Sequence, residues 1–267
     1  MLQTKKAKFS ASVMCSDLAS ISGDIKAIQA GGLDFLHIDI MDGHFVPNYG
    51  LSLDFCCKLR EQCDLPFDYH LMIEEPHKLI PKLNLTSRDI VSIHYESTYH
   101  IARVIALLKE RQAQLFIALK PQTPFIILEP ILQHIDGINF LTITPGFAGQ
   151  KMLESASENF TRLTEYLCAK NATHLELEVD GNMSAENIRL FGNLGANIFV
   201  LGTSSIFGKS DTAAAIRKLR DELGLPERER ERVKPAPRQT FASTTNFVIV
   251  SANAISQRAL AAARRCA

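Results

Sequence analysis

Leu-His-Ile-Asp-Ile-Met-Asp-Gly, residues 36–43, is an apolar run that two polar side chains interrupt at a spacing of two residues. Residues two apart on a β-strand point to the same side, so His37 and Asp39 share one face. An imidazole and a carboxylate on a buried face are costly unless they are bonded to each other or to a ligand. The stretch therefore predicts a strand that carries part of a functional site.

Two further strand-like runs end in polar side chains of the same kinds. The run 67–72 contains His70, and Glu-Val-Asp-Gly at 178–181 ends another run with Asp180. Together with the first pair they make two histidines and two aspartates, a nitrogen and oxygen set suited to a divalent transition metal. Taken singly, each residue also fits an ordinary role, as a core histidine or as a capping or turn aspartate.

The chain alternates short apolar runs with amphipathic stretches of helical length, eight times in all. The strand candidates lie near 8–14, 34–40, 66–72, 89–95, 113–119, 137–144, 174–180 and 197–202, and the last helix candidate covers roughly 209–223. A doubly wound sheet also alternates in this way, but it normally has a Gly-rich turn after its first strand, and residues 14–18 contain no glycine. The polar residues fall at strand carboxyl ends, the face where barrel active sites lie. We therefore predict an α/β fold, a (β/α)₈ TIM barrel.

Glycine-containing segments follow the last three strands, at 145–150, 180–182 and 202–205. Loops at this end of a barrel commonly hold a phosphate group, because glycine lets backbone N–H groups approach a ligand. A helix that started after Gly202 would add the positive end of its dipole. Each segment by itself also fits an ordinary turn. Their order along the chain favours a phosphate site.

These motifs resemble those of the ribulose-phosphate 3-epimerase family over roughly residues 8–223. The resemblance is carried by Ser-Val-Met at 12–14, by His-x-Asp-x-Met-Asp-Gly-His-Phe-Val-Pro-Asn at 37–48, by His-Leu-Met at 70–72, by Pro-Gly-Phe-x-Gly-Gln at 145–150, by Glu-Val-Asp-Gly at 178–181 and by Gly-Thr at 202–203. The segment 37–48 is the most specific of them.

The resemblance implies a set of residue roles. His37, Asp39, His70 and Asp180 would bind one divalent metal ion, commonly zinc, with iron, manganese or cobalt as alternatives. Asp39 and Asp180 would be the two acid/base groups that invert C3 of a phosphorylated ketose through an enediolate. The substrate would be contacted by Ser12, Met41, His70, Met72, Gly146, Phe147, Ala148, Gly149, Gly181, Asn182, Gly202, Thr203 and Ser204.

Departures from the family's commonest pattern bear on the substrate. Ala148 stands in the loop that usually reads Pro-Gly-Phe-Gly-Gly-Gln, Asn182 replaces a second glycine, and Leu141 stands where a methionine is usual. Ala148 and Asn182, together with the Met14-Cys15 pair and Gly-Thr-Ser-x-x-Phe at 202–207, are similar to the D-allulose-6-phosphate 3-epimerase branch. The chain is therefore expected to interconvert D-allulose 6-phosphate and D-fructose 6-phosphate, with D-ribulose 5-phosphate as the alternative. His94-x-Glu96 also matches the family, either as a support for the site or as packing.

Composition excludes several other classes. The chain has 267 residues and is 46% hydrophobic without a long apolar run, so no membrane span is expected. Lys plus Arg and Asp plus Glu number 29 each, which gives no net field for a nucleic acid. The six cysteines lack metal-ligand spacing and the first residues lack a secretory core, which together indicate the cytoplasm. The resemblance implies a homo-oligomer.

Residues 1–224 are expected to form the catalytic barrel and 225–267 a charged linker and a C-terminal extension of unknown role. Charges alternate and prolines follow in 226–238. Two other function classes are open. Phosphate-binding decarboxylase barrels rely on an Asp-x-Lys-x-x-Asp array, which residues 37–42 do not contain. A non-catalytic sugar-phosphate-binding barrel would be favoured by the loss of a ligand or carboxylate, and all four residues are present.

Overall fold

Eight parallel β-strands pair in sequence order and close into a barrel, with the last strand hydrogen-bonded to the first. The computed structural model describes residues 5–208 and 211–225. The strands are β1 (Lys8–Ser12), β2 (Phe35–Met41), β3 (Phe67–Met72), β4 (Ile90–His94), β5 (Gln114–Leu119), β6 (Gly137–Leu141), β7 (Glu176–Asp180) and β8 (Ile198–Leu201). The prediction of a (β/α)₈ barrel is confirmed.

Six α-helices lie among the crossovers between these strands and after the last of them. They are α1 (Ile21–Ala30), α2 (Leu53–Gln62), α3 (Ile101–Arg111), α4 (Ala156–Ala169), α5 (Ala185–Asn193) and α6 (Thr212–Glu222). Side-chain oxygens cap three of them, because Ser52, Ser184 and Asp211 each accept a hydrogen bond from the backbone N–H three residues later.

Two crossovers differ from the expected α-helices. The β3–β4 connection contains short 3₁₀ helices at Pro76–Lys78 and Ile80–Lys82, and the β5–β6 connection contains a 3₁₀ helix at Phe125–His134. Prolines explain both, since Pro76 and Pro81 begin or interrupt the first pair and Pro130 lies inside the other. A proline lacks the N–H that an α-helix interior needs.

The inside of the barrel changes from apolar to polar along its axis. Near the amino ends of the strands, Phe35, Ile90, Phe116 and Ile198 form a buried apolar cluster. A side chain on Gly137 would collide with the ring of Phe116, so this ring fills the space that Gly137 leaves. Buried polar side chains follow toward the carboxyl ends, among them Ser10, His37, Asp68, Ser92, Asn139 and Glu178. The interior toward the carboxyl ends of the strands therefore holds the polar side chains that a functional site requires.

Some predicted boundaries were wrong. β1 ends at Ser12 and a 3₁₀ turn occupies Val13–Cys15, while β6 ends at Leu141. The expected C-terminal extension lies outside the described residues apart from Leu225, and so do the first four residues. Among the helices of the described residues, none has both the length and the apolar composition to cross a bilayer.

Candidate active site

Four side chains from three strands converge at the carboxyl end of the barrel. His37 and Asp39 come from β2, His70 from β3 and Asp180 from β7, and one ligand atom of each lies within 4.8 Å of the others. Asp39 is paired with His70 across the β2–β3 ladder, which places the two side chains next to each other. The predicted metal-ligating residues are therefore brought together.

The distances within this cluster fit a single cation. The Nε2 of His37 is 3.4 Å from Oδ1 of Asp39 and 3.8 Å from Oδ2 of Asp180. The Nδ1 of His70 is 3.5 and 3.4 Å from the same two oxygens. Ligand atoms about 2.1 Å from a tetrahedral metal ion lie about 3.4 Å apart. Both nitrogens are also buried without a hydrogen-bond partner, which is costly unless an ion accepts them. The residues fit a divalent metal.

The cluster is electrostatically negative. Burial opposes a charge on His37, but the carboxylates of Asp68 and Asp39 outweigh it and raise the pKa of this imidazole well above its usual range. Burial likewise opposes a charge on His70, while the nearby carboxylates of Asp180 and Asp39 raise the pKa of this ring. The pKa of Asp39 is held well below its usual range, against burial, by His37 and His70. The cluster therefore attracts positive charge.

Two buried carboxyl groups lie behind His37. Oδ2 of Asp68 is 2.7 Å from Nδ1 of His37 and accepts a second bond of 2.7 Å from the Ser10 hydroxyl. Glu178 lies 3.8 Å from the same ring nitrogen. Burial and the neighbouring Asp68 raise the pKa of Glu178 well above its usual range. Of the two carboxyl groups, Asp68 is the one within hydrogen-bond distance of the ring.

A second pair of residues lies behind His70. The Nε2 of His94 is 3.0 Å from the Nε2 of His70, and Nδ1 of His94 is 3.6 Å from Oε2 of Glu96. Burial lowers the pKa of His94 to about 4. Burial opposes a charge on Glu96, but the nearby His94 and the hydrogen bonds from the Thr123 hydroxyl and the Lys120 N–H outweigh it and lower the pKa of Glu96 to about 2. His94 contacts His70 but does not belong to the four-residue cluster.

A pocket opens above the cluster, and the residues predicted to bind substrate line it. They are Ser12, Met41, His70, Met72, Gly146, Phe147, Ala148, Gly149, Gly181, Asn182, Gly202, Thr203 and Ser204. Asp39 and Asp180 also line it, whereas His37 is fully buried beneath them. Met41, Val46 and Met72 pack together on one side with Met14 and Phe45 against them. The pocket is therefore apolar on this side.

Side-chain amides fix the loop after β6. Asn48 donates to the carbonyl of Gly146 at 2.7 Å, and Gln150 donates to the carbonyls of Thr144 and Phe147 at 2.7 and 2.8 Å. Asn182, after β7, donates to the carbonyl of Gln150 at 3.0 Å, which joins the two loops. The peptide planes around Gly146–Gly149 are therefore held in set orientations.

The expected helix directly after Gly202 is absent from the described residues of this loop. A turn follows instead, in which the N–H groups of Ser205, Ile206 and Phe207 donate to the carbonyl of Gly202 at 3.1 to 3.2 Å. The next helix, α6, begins at Thr212. The dipole of α6 therefore does not start at Gly202.

The contact of Asp68 with His37 was not predicted from the sequence. The same argument that paired His37 with Asp39 applies to Phe-Asp-Tyr-His at 67–70, where Asp68 and His70 are two residues apart. Glu178 was also left without a role, although this residue belongs to a quoted motif. Met14, Cys15, Ile143 and Val200 line the pocket as well and were not proposed to do so.

The fold and the site together define a barrel enzyme with a histidine and aspartate cluster that could hold a metal ion at the carboxyl ends of its strands. Residues 8–207 match the model of the ribulose-phosphate 3-epimerase family, and the chain belongs to that family. It is therefore an isomerase of the epimerase type.

Curated relatives support this assignment along most of their length. The ribulose-phosphate 3-epimerase of Bacillus subtilis is 37% identical over 213 residues, which cover 80% of this chain and 98% of the relative. That of Aquifex aeolicus is 38% identical, with 78% and 93% covered. The crystal structure of 3-keto-L-gulonate-6-phosphate decarboxylase from Vibrio cholerae has a TM-score of 0.58 at 14% identity, with 82% and 99% covered. This last likeness shows the shared barrel alone.

Proposed function

We propose that the chain is a metal-dependent 3-epimerase that interconverts D-ribulose 5-phosphate and D-xylulose 5-phosphate. The observation that carries the proposal is the convergence of Asp39 and Asp180 on one pocket, from strands β2 and β7. Membership of the family and the names of the relatives support this substrate over D-allulose 6-phosphate.

Inversion at C3 needs a base on one face of the carbon and an acid on the other. The proton next to the ketone is removed from one face, and a proton is returned to the opposite face of the resulting enediolate. Asp39 and Asp180 are proposed as these two groups. Ser12 donates to Oδ2 of Asp39 at 3.2 Å, while Oδ1 of Asp39 faces the histidines. The two oxygens of this carboxylate therefore have separate environments.

His37, Asp39, His70 and Asp180 are proposed to hold the metal ion, with zinc the first candidate and iron, manganese or cobalt as alternatives. When bound, such an ion supplies Lewis acidity toward the substrate oxygens at C2 and C3. The surrounding residues do the rest of the work. Met41 and Met72 exclude water from one side of the reacting carbon, which protects an enediolate from solvent.

The phosphate group is proposed to lie against the loops after β6, β7 and β8. Gly146, Gly149, Gly181 and Gly202 line the pocket there, and three of them have positive φ. Lys and Arg side chains do not line this pocket in the described part of the chain, so backbone N–H groups and the hydroxyls of Thr203 and Ser204 would bind the anion.

D-Allulose 6-phosphate remains the second candidate substrate. Most of the residues that favour it line the pocket, namely Met14, Cys15, Ala148, Asn182, Gly202, Thr203 and Ser204. Asn182 has a φ of 52° and its amide donates to the loop after β6, so it occupies a position that glycine fills in the commoner pattern. The proposed chemistry at C3 is the same for both sugars. Assembly as a homo-oligomer and a cytoplasmic location stay predictions.

The test is C3 epimerisation of both sugar phosphates, side by side, with metal-loaded and chelator-stripped protein. We expect turnover of D-ribulose 5-phosphate that is lost with the metal and regained when zinc is added. Faster turnover of D-allulose 6-phosphate would assign the other branch. If neither sugar reacts with zinc, iron, manganese or cobalt, the epimerase proposal fails and a non-catalytic sugar-phosphate-binding role takes its place.

A further inference from the structure

His94 is a buried histidine that contacts the candidate metal site from outside. Its side chain is fully buried at the end of β4. The rings of His94 and His70 are stacked with centroids 5.1 Å apart and an interplanar angle of 26°. The ring of Phe45 lies 4.7 Å from His94 on centroids, and the Lys120 ammonium lies 4.2 Å from the Phe45 ring. The orientation of His94 is thus set by packing.

The Glu96 carboxylate lies near Nδ1 of His94, the ring nitrogen that does not contact His70, and hydrogen bonds hold it in place. Its Oε1 accepts a hydrogen bond of 2.9 Å from the backbone N–H of Lys120 and another from the hydroxyl of Thr123. Its Oε2 faces Nδ1 of His94 at 3.6 Å. Two donors on one carboxylate oxygen stabilise the ionised form, which accepts hydrogen bonds only.

The Glu96 carboxylate influences which ring nitrogens of His94 and His70 carry protons. A neutral imidazole has one N–H donor and one acceptor nitrogen. No hydrogen bond joins Nδ1 of His94 to Glu96, but the carboxylate 3.6 Å away attracts an N–H dipole and repels a nitrogen lone pair, which favours the tautomer of His94 with its proton on Nδ1 and its acceptor on Nε2. Nε2 of His70, 3.0 Å away, must then be the donor. This leaves Nδ1 of His70 without a proton, and that atom faces Asp39 and Asp180.

The opposite placement of the protons would prevent His70 from binding a metal ion through Nδ1. If His94 donated from Nε2, then His70 would accept there and carry its proton on Nδ1, where a metal ion could not bind. Glu96 selects between the two arrangements, although it lies two residues beyond β4.

We propose that His94 and Glu96 are positioning residues that hold Nδ1 of His70 free for the metal ion. The proposal rests on the proposed function, since it assigns a purpose to residues around the same metal site. Partners of this kind on the second nitrogen of a ligating histidine typically change metal affinity by about 10- to 100-fold.

The test measures the affinity of the full-length chain for Co²⁺ by chelator competition, together with the visible absorption of bound Co²⁺. His94→Phe keeps a ring in the stack but removes the acceptor, and we expect affinity to fall by about 10- to 100-fold with an altered Co²⁺ spectrum. His94→Gln retains an oxygen acceptor and should recover most of the affinity. His77→Phe, the same substitution at another buried histidine that packs on His100, should change neither readout.

An unchanged affinity and spectrum in His94→Phe would overturn the proposal. If that variant does not fold, as judged by circular dichroism, Glu96→Ala carries the same test, because the Glu96 side chain is 22% exposed and easier to replace. Unchanged Co²⁺ affinity in Glu96→Ala would equally overturn it. Failure of the epimerase proposal is seen separately, as wild-type protein that binds Co²⁺ but leaves the C3 hydrogen of both sugars in place. A wild type that binds no Co²⁺ overturns both.

Discussion

Nδ1 of His37 and Oδ2 of Asp68 lie 2.7 Å apart inside the barrel, and both side chains are fully buried. A carboxyl group at this distance favours the tautomer of His37 that carries its proton on Nδ1, and Nε2 faces Asp39 and Asp180. Asp68 would therefore keep Nε2 of His37 free for a metal ion, as His94 and Glu96 are proposed to keep Nδ1 of His70 free. A carboxylate in this place also makes the ring a stronger ligand.

Replacement of Asp68 is expected to weaken metal binding without removing any of the four cluster residues. Asp68→Asn keeps an oxygen that can accept from Nδ1 but loses the charge, and Asp68→Leu loses both. We expect affinity to fall by about 10-fold in the first variant and about 100-fold in the second, as measured by chelator competition. Ser10→Ala is the matched control, because Ser10 donates to the same oxygen without contacting His37. Equal affinity in wild type and Asp68→Leu would show that the contact has no such role.

Replacement of either acid/base candidate is expected to stop epimerisation. Asp39→Asn and Asp180→Asn each remove a proton carrier, which is worth typically 10²- to 10⁴-fold in rate. Because both residues also lie in the metal cluster, the metal content of each variant is measured beside its activity. Exchange of the C3 hydrogen in D₂O, followed by proton NMR, separates proton removal from the complete inversion. Retained epimerisation by metal-loaded Asp180→Asn would show that the acid/base pair is misassigned.

Much of the site was predictable, because the face to which a strand residue points depends only on its position along that strand. His37, Asp39, His70 and Asp180 follow from period-two spacing and from their places at strand ends, and the barrel follows from eight alternations. The role of His94 was not predictable in this way. The β3–β4 register places His70 opposite Ser92, so the contact with His94 depends on how two rings lean across neighbouring strands.

The 3₁₀ crossovers and the substrate show two other limits. Pro76, Pro81 and Pro130 are visible in the sequence, and prolines at these places disfavour continuous α-helices in the two crossovers. The identity of the substrate could not be predicted for a different reason. It depends on the combined shape that Ala148, Asn182 and Thr203 give to one pocket, and no single residue type or spacing encodes that shape.

Removal of the metal is expected to destabilise the protein as well as inactivate it. Without a cation, two carboxylates and two imidazoles with unpartnered buried nitrogens face one another. Zinc at 100 times its dissociation constant should add about 2.7 kcal/mol to the free energy of unfolding. Thermal unfolding of stripped protein with and without zinc measures the change, and Asp180→Asn should show a smaller shift. Full activity in protein shown by mass spectrometry to hold no metal would contradict the metal requirement.

Gly181 is expected to be the least replaceable glycine of the pocket. Its φ is 108°, and a Cβ there would lie 2.7 Å from the side chains of Ile143 and Thr142. Gly181→Ala therefore meets backbone strain of about 1–3 kcal/mol and a collision in addition. Gly149→Ala is the matched control, because its φ of 78° brings the strain while a Cβ there has no atom within 4 Å.

The two variants are compared by urea unfolding and by the KM for D-ribulose 5-phosphate. Thr142 donates its hydroxyl proton to the carbonyl of Gly181, so a displaced Gly181 also displaces the peptide that follows Asp180. Gly181→Ala should therefore lose more stability than Gly149→Ala and should lose activity with it. Gly23→Ala, in α1 with open space around the new methyl group, should instead gain about 0.5–1 kcal/mol. Equal stability of Gly181→Ala and Gly149→Ala would mean that the loop after β7 yields to the added methyl group, and that Gly181 is not fixed by its neighbours.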